Sequence, residues 1–412
     1  MNEEAIKKTL VDNFFRYLAI PSQSKEGSNK IPSSEGQEKL ARLLAKDLQK
    51  LGLVDIAINE YGVIQARLPK NSDYTQAIGW VCHLDTVDVG LSDEIHPKVI
   101  KNYQGGNITL NSEANIILTP EENPEILKYI GDDIIVSDGK SVLGADNKAA
   151  IANVITAISY LNVNKNIEHG DIYLAFVPDE EIGLRGSRKI DFNKFKADFA
   201  YTIDCCELGE LVYETFNAAS ASISIEGVSA HPMSAKNVLV NPIMIANDFI
   251  NLLNRAETPE HTEGKEGYIR VTDIESDVLT AKINLNIRDH SREKYDQKKS
   301  YLISAIDLLQ KQNPKAKISI EIKDIYSNIL DNVKDTNKVA IAKLFRTFNK
   351  LGIKPKIILM RGGTDGSYLS TRGILTPNYF TGAHNFHSNK EFLPIDSFYK
   401  SLLVTIDLMS ND

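Results

Sequence analysis

The chain has 412 residues and a formal net charge of −8, with 42% hydrophobic and 25% charged residues. That balance suits a globular protein and disfavours nucleic acid, whose backbone attracts basic surfaces; no stretch approaches 18 uninterrupted apolar residues, so none reads as a membrane span. The length exceeds what one hydrophobic core usually fills, so two domains are expected.

The cysteines are Cys82, Cys205 and Cys206, too few for a disulfide framework. The opening residues MNEEAIKKTL contain no apolar signal region. Both features fit a cytoplasmic, reducing location.

In chain order, Ile6, Leu10, Phe14 and Leu18 form one stripe of a helix over 3–19, which Pro21 ends. A second helix is expected over 33–52, with Ser34 as a candidate cap and Gly52 as its stop. Residues 54–68 alternate around Gly62 as a hairpin, leading into the apolar run IGWVCH at 78–83. That run reads as a buried strand, with His83 and Asp85 two apart and therefore on one face. Residues 87–135 are polar and broken by Gly105, Gly106, Pro120 and Pro124, a long excursion of the kind that often carries function. Residues 127–140 suggest a helix end and a hairpin, and SVLGAD then runs into a helix over about 148–161. DIYLAFVP at 171–178 and ADFAYTID at 197–204 are strands ending in acids.

The texture changes after Glu214. Strands at 220–227, 277–289 and 316–324 and helices at 241–256 and 291–313 suggest a β-α-β-β-α-β order, an α+β sandwich inserted over 214–328. The α/β pattern resumes with a helix at 333–350, the strands PKIILM and ILTPNYF, and a C-terminal helix from about 395. The fold expected is α/β: a discontinuous catalytic domain, 1–213 with 329–412, around a mainly central mixed sheet, plus the ferredoxin-like insert. A cleft between two domains is the default place for a substrate.

His83, Asp85, Asp146, Glu180, Glu181 and Asp204 stand at the C-terminal ends of first-domain strands, where open α/β sheets bind ligands, and His387 follows the last of them. Taken singly, each has a plainer reading. His83 suits a structural histidine, Asp146 a helix cap, and Asp179–Glu181 a solvated acidic run. Together they are acids that repel one another unless a cation lies among them. Two histidines and three carboxylates suit a pair of zinc, cobalt or manganese ions. A spare carboxylate can serve as general base, and the neighbours Glu180 and Glu181 offer one residue for each job.

HLDT at 83–86, LGADNKA at 143–149, FVPDEEIG at 176–183, YTID at 201–204, GVSAHP at 227–232, EHTEGKEGY at 260–268, IRDH at 287–290, RGGTDG at 361–366 and NFHSNKEF at 385–392 follow one another along the chain. With that ordered set the chain resembles, over essentially its full length, the peptidase T family of tripeptide aminopeptidases within the dizinc aminopeptidase, carboxypeptidase and deacylase superfamily. The resemblance implies His83 and Asp204 as terminal ligands of one zinc, Glu181 and His387 of the other, and Asp146 as the bridge. It implies Glu180 as general base and acid in the attack of a dizinc-bound water, Asp85 orienting His83, and a cis peptide at Asp146–Asn147. It further implies His231 as the oxyanion donor, and Arg288, Arg361 and Asn385 as holders of the peptide's C-terminal carboxylate. Arg288 lies in the insert and Arg361 in the resumed first domain, so the two are expected to meet across the cleft. Tripeptides with free termini and a homodimer built through 214–328 complete what the resemblance implies. The family usually has glycines where Cys205 and Cys206 stand; these read as small packing residues, with zinc-competing thiolates the alternative.

Two other functions remain open on sequence. One is a carboxypeptidase or N-acyl amino acid deacylase with the same metal core. The other, of a different class, is a non-catalytic peptide-binding protein on this scaffold.

Overall fold

The strand Ile78–His83 is buried at every position, as a strand covered on both faces of a sheet must be. It lies inside an eight-stranded sheet of order Val54–Ile58, Ile64–Leu68, Ile172–Val177, Ile78–His83, Phe199–Cys205, Asn378–Phe380, Glu210–Thr215, Lys356–Met360. Ile78–His83 runs parallel to both neighbours. The register sets His83 opposite Val177 and Val81 opposite Thr202. The C-terminal ends of three adjacent strands therefore deliver His83, Glu180 and Asp204 to one edge of the sheet.

This computed structural model describes residues 2–410. Within this range the chain divides into one unit made of the described residues up to Tyr213, Val333–Ile358 and those from Thr364 on, and a second of Glu214–Asn332 with Leu359–Gly363. In the first unit the helix Ala145–Val163 is buried around most of its circumference. It packs on the strands Ile78–His83 and Phe199–Cys205 and against the helices Glu3–Leu18 and Ile395–Met409. A helix enclosed on all sides needs apolar residues all round, which Ala149, Ala150, Ile151, Val154, Ile155 and Ile158 supply. Of the helix end and hairpin expected over 127–140, the helix end is the 3-10 helix Pro124–Tyr129, but in place of the hairpin stands one strand, Ile134–Val136. That strand pairs with Lys98–Ile100 and Phe392–Pro394, so distant chain supplies both partners.

The second unit is a four-stranded antiparallel sheet in the order Tyr268–Ser276, Thr280–Asp289, Asn217–Glu226, Lys317–Tyr326. Inward residues alternate along the central strands, Ile223 and Ile225 on one, Ile283, Leu285 and Ile287 on the next. They pack with Phe249 of the helix Pro242–Leu252 and Leu302 and Ile306 of the helix Arg292–Gln312. This is the ferredoxin-like arrangement expected. Its strand Tyr268–Ser276, missing from the sequence reading, is mostly solvent-facing and shows little alternation.

Candidate metal centre

The site begins with how two acidic segments are held. Asp85 is fully buried, and its carboxylate accepts the backbone N–H groups of Glu180 at 3.0 Å and Glu181 at 3.1 Å. Its backbone carbonyl lies 2.9 Å from His83 Nδ1, and its carboxylate 3.4 Å from the same atom. The Nδ1 proton therefore faces Asp85, which leaves Nε2 as the free lone pair, the tautomer a metal ligand needs. One residue thus sets the ring of His83 and the backbone of the acidic pair.

Asp146 lies just inside the N-terminus of the helix Ala145–Val163 but has non-helical backbone angles, φ −84° and ψ 100°. Gly144, at φ 74°, occupies the cap position. A side chain there would press on Ile95, 3.0 Å from the site of a Cβ, in a left-handed conformation that favours glycine. The peptide Asp146–Asn147 is cis, as the resemblance implies. Asp146 does not cap the helix. Its Oδ1 is 2.8 Å from His83 Nε2 and its Oδ2 3.0 Å from His387 Nε2. Asn147 braces the neighbouring strand, its amide donating to the carbonyl of Ile203 at 2.7 Å.

Ligand atoms gather into three overlapping groups: His83, Asp146 and Asp204; Asp146, Glu181 and His387; and His83, Glu180 and Glu181. The first two share Asp146. Spacings of 2.8–3.0 Å between its oxygens and the imidazoles are close to the roughly 3.3 Å edge of a tetrahedron with zinc–ligand bonds of about 2.0–2.1 Å. Glu181 Oε1 is buried and takes no aligned hydrogen bond, although His387 Nε2 is 3.0 Å away. An orphaned carboxylate oxygen this close to a histidine nitrogen fits a cation between them.

The charge balance agrees. Burial pushes the carboxyl groups of Glu180 and Asp204 well above the usual range and Glu181 to about 7. Only Asp146 is held low: burial opposes ionisation, but the His387 and His83 imidazoles, when they carry both protons, outweigh it. His387 rises to about 10 through its contacts with Asp146 and Glu181. A group of acids that must take up protons to coexist is one that divalent cations neutralise instead.

The other expected residues are distributed as follows. Asn385 adopts a left-handed backbone at φ 59°, as does His387 at 63°. Both side-chain N–H groups of Asn385 are engaged, with Asn123 Oδ1 at 2.8 Å and the carbonyl of Lys390 at 3.2 Å. His231 is exposed in the second unit and accepts the N–H of Met233 on Nδ1 at 3.2 Å. Arg361 does not belong with the first unit's chain: Leu359–Gly363 groups with 214–332, so both arginines lie in the second unit. The expectation of a meeting across the cleft, drawn from sequence order alone, is corrected accordingly. His384 is a packed core residue, stacked on Phe392 and 2.6 Å from the Tyr129 hydroxyl. Neither Cys205 nor Cys206 joins a ligand group among the described residues. Two acids escaped the sequence reading. Asp365, buried with Oδ1 unpartnered, is raised to about 6 by burial, and Glu391 grips the segment before Asp146. Both lie in quoted motifs, RGGTDG and NFHSNKEF.

The fold and the donor set define a two-domain metallopeptidase. Residues 213–317 match a peptidase dimerisation domain and 132–232 match M42 glutamyl aminopeptidase. A peptidase T-like protein of Yersinia pestis is 53% identical over 401 residues, covering 97% of each chain. Peptidase T of Halothermothrix orenii is 41% identical, covering 97% of this chain and 98% of that one. The crystal structure of aminopeptidase PepT from Bacillus cereus has the same fold, with a TM-score of 0.74, 22% identity and 98% coverage of both chains. The chain belongs to the peptidase T family.

Metal content tests the centre. Zinc-loaded protein is expected to carry two equivalents per chain by elemental analysis, and Asp146→Ala to lose both. Full retention by the variant would show that Asp146 is no ligand.

Proposed function

We infer that this chain is a metal-dependent aminopeptidase that releases the N-terminal residue of tripeptides. The observation that carries this reading is the position of Asp146, whose two carboxylate oxygens each face a different histidine Nε2. His83, Asp146 and Asp204 would hold one zinc, and Asp146, Glu181 and His387 the other; cobalt or manganese suits the same donors. Bound there, two such ions supply Lewis acidity that polarises a scissile carbonyl and acidifies a water.

The chain's own residues do the rest. Glu180 takes the water's proton and passes it to the departing amine nitrogen. Asp85 holds it in place through its backbone N–H. His231 accepts on Nδ1, which leaves Nε2–H as the donor to the developing oxyanion. Arg288 spends both Nη1 protons on the carbonyls of Ala219 and Ile287. Its Nε and Nη2 make no hydrogen bond among the described residues, and that edge matches a carboxylate bidentately. Arg361 is more committed, to the carbonyls of Gly264 and Glu266 and to Thr262. We assign the peptide's C-terminal carboxylate first to Arg288, with Arg361 beside it. Asn385 would have to release a bond to join them, and it suits bracing the His387 loop better.

The matched dimerisation domain supports a homodimer, with 1–213 and 329–412 as the catalytic part and 214–328 as the pairing part. Among the described residues no helix is long and apolar enough to cross a membrane. The cysteines are unpaired, and we place the protein in the cytoplasm on that chemistry.

Two variants test the mechanism. Glu180→Gln is expected to keep both metals and lose about 10²–10⁴-fold in kcat, the usual cost of a missing base; near-normal kcat would place the base elsewhere. Arg288→Ala is expected to lower kcat/KM for Leu-Gly-Gly at least about tenfold, as a charge-assisted contact of roughly 1.5–3 kcal/mol requires, and to change the tripeptide amide much less. Equal losses for acid and amide would make Arg288 structural. Cleavage of the N-acetylated tripeptide would favour the deacylase or carboxypeptidase reading.

A further inference from the structure

The loop that carries His387 also carries an acid that touches the segment 144–146. Glu391 is 1% exposed. Its Oε2 accepts the N–H of Gly144 at 2.9 Å, and its Oε1 accepts those of Ala145 at 2.9 Å and, more loosely, Asp146 at 3.4 Å. These are consecutive N–H groups at the start of the helix Ala145–Val163, donors with no partner inside the helix. Glu391 lies 247 positions from Gly144 in sequence, so the contact is tertiary.

The loop is built to hold that geometry. His384 and Phe392 exchange backbone hydrogen bonds of 2.9 and 3.2 Å, closing its base. Within it the Glu391 N–H bonds to the carbonyl of Ser388 at 3.1 Å, and the Asn389 amide reaches the carbonyl of Gly139 at 3.2 Å. The imidazole of His387, at the outer end, approaches the Asp146 carboxylate, while Glu391, at the closed end, holds the backbone that presents it. A single loop thus meets the Asp146 carboxylate through His387 and the backbone that presents it through Glu391.

We propose that Glu391 is a positioning residue for the metal centre, one that fixes the backbone of Gly144–Asp146 so that the Asp146 carboxylate stands midway between His83 and His387. It plays toward Asp146 the part that Asp85 plays toward Glu180 and Glu181: a buried carboxyl group spending its acceptors on the N–H groups of a ligand-bearing segment. The physical gain is in preorganisation. A bridging carboxylate must aim two oxygens at once, so a small rotation of its backbone misplaces both, and outer partners of this kind typically govern about 10–100-fold in metal affinity. The proposal rests on Asp146 being the shared ligand.

The test is zinc affinity, measured by competition with a chromophoric chelator on the full-length chain, for wild type, Glu391→Gln, Glu391→Ala and Asp146→Ala. Glutamine keeps the volume but turns an N–H donor toward one of the backbone donors, so it disrupts the clamp without leaving a cavity. The expected result is at least tenfold weaker zinc binding by Glu391→Gln, with the melting temperature of its metal-free form within a few degrees of wild type. With zinc saturating, the expected change is a lower kcat with KM little altered. Unchanged zinc affinity in Glu391→Gln would overturn the proposal. So would a loss seen only where the metal-free variant is already unfolded. If Asp146→Ala also binds zinc like wild type, the bridging reading itself fails, and that outcome is separate from the behaviour of Glu391.

Discussion

The structure turns on the sharing of one carboxylate between two imidazoles. Asp146 lies between His83 and His387 with an oxygen toward each, and Asp204 and Glu181 complete a group on either side. Acids this close cannot all ionise in a buried place without cations, which is why burial drives Glu180, Glu181 and Asp204 toward holding protons. The arrangement makes electrostatic sense only with positive charge in its middle. The packing around it keeps His83, Asp146 and Asp85 buried together.

That packing is a matter of backbone control. The parallel register of three strands brings His83, Glu180 and Asp204 to one edge, but a register places Cα atoms, not carboxylate oxygens. Asp85 supplies the finer adjustment on one side by binding two successive N–H groups. Asn147 does so on another, under the end of the strand that carries Asp204. His387 reaches the site from a residue in the left-handed region, φ 63°, a conformation that costs a non-glycine residue of the order of 1 kcal/mol or more and persists where surrounding contacts demand it.

Much of this was legible in the sequence because its signals are local. Apolar runs ending in acids mark the strand ends, and HLDT and LGADNKA are short enough to read directly. The two-layer second unit followed from the alternation of Ile223, Ile225, Ile283 and Leu285. What escaped has physical reasons. Tyr268–Ser276 is solvent-facing along most of its length and carries little apolar rhythm. Arg361 follows the strand Lys356–Met360 of the eight-stranded sheet in sequence, yet its guanidinium bonds to Thr262, Gly264 and Glu266 of the second unit, and only folding reveals that allegiance. Asp85 was expected to orient His83 through its carboxylate; its backbone carbonyl lies nearer the ring, at 2.9 Å against 3.4 Å, and its carboxylate accepts the N–H groups of the acidic pair. Glu391 lay in plain view within NFHSNKEF, but its partners are backbone N–H groups far along the chain, and no spacing rule points to them.

The most direct measurement is anomalous diffraction from zinc-loaded crystals at the zinc absorption edge. A shared Asp146 predicts two anomalous peaks roughly 3.5–4 Å apart, one beside Asp146 Oδ1 with His83 and Asp204, the other beside Oδ2 with His387 and Glu181. A single peak, or two peaks neither of which touches Asp146, would contradict it.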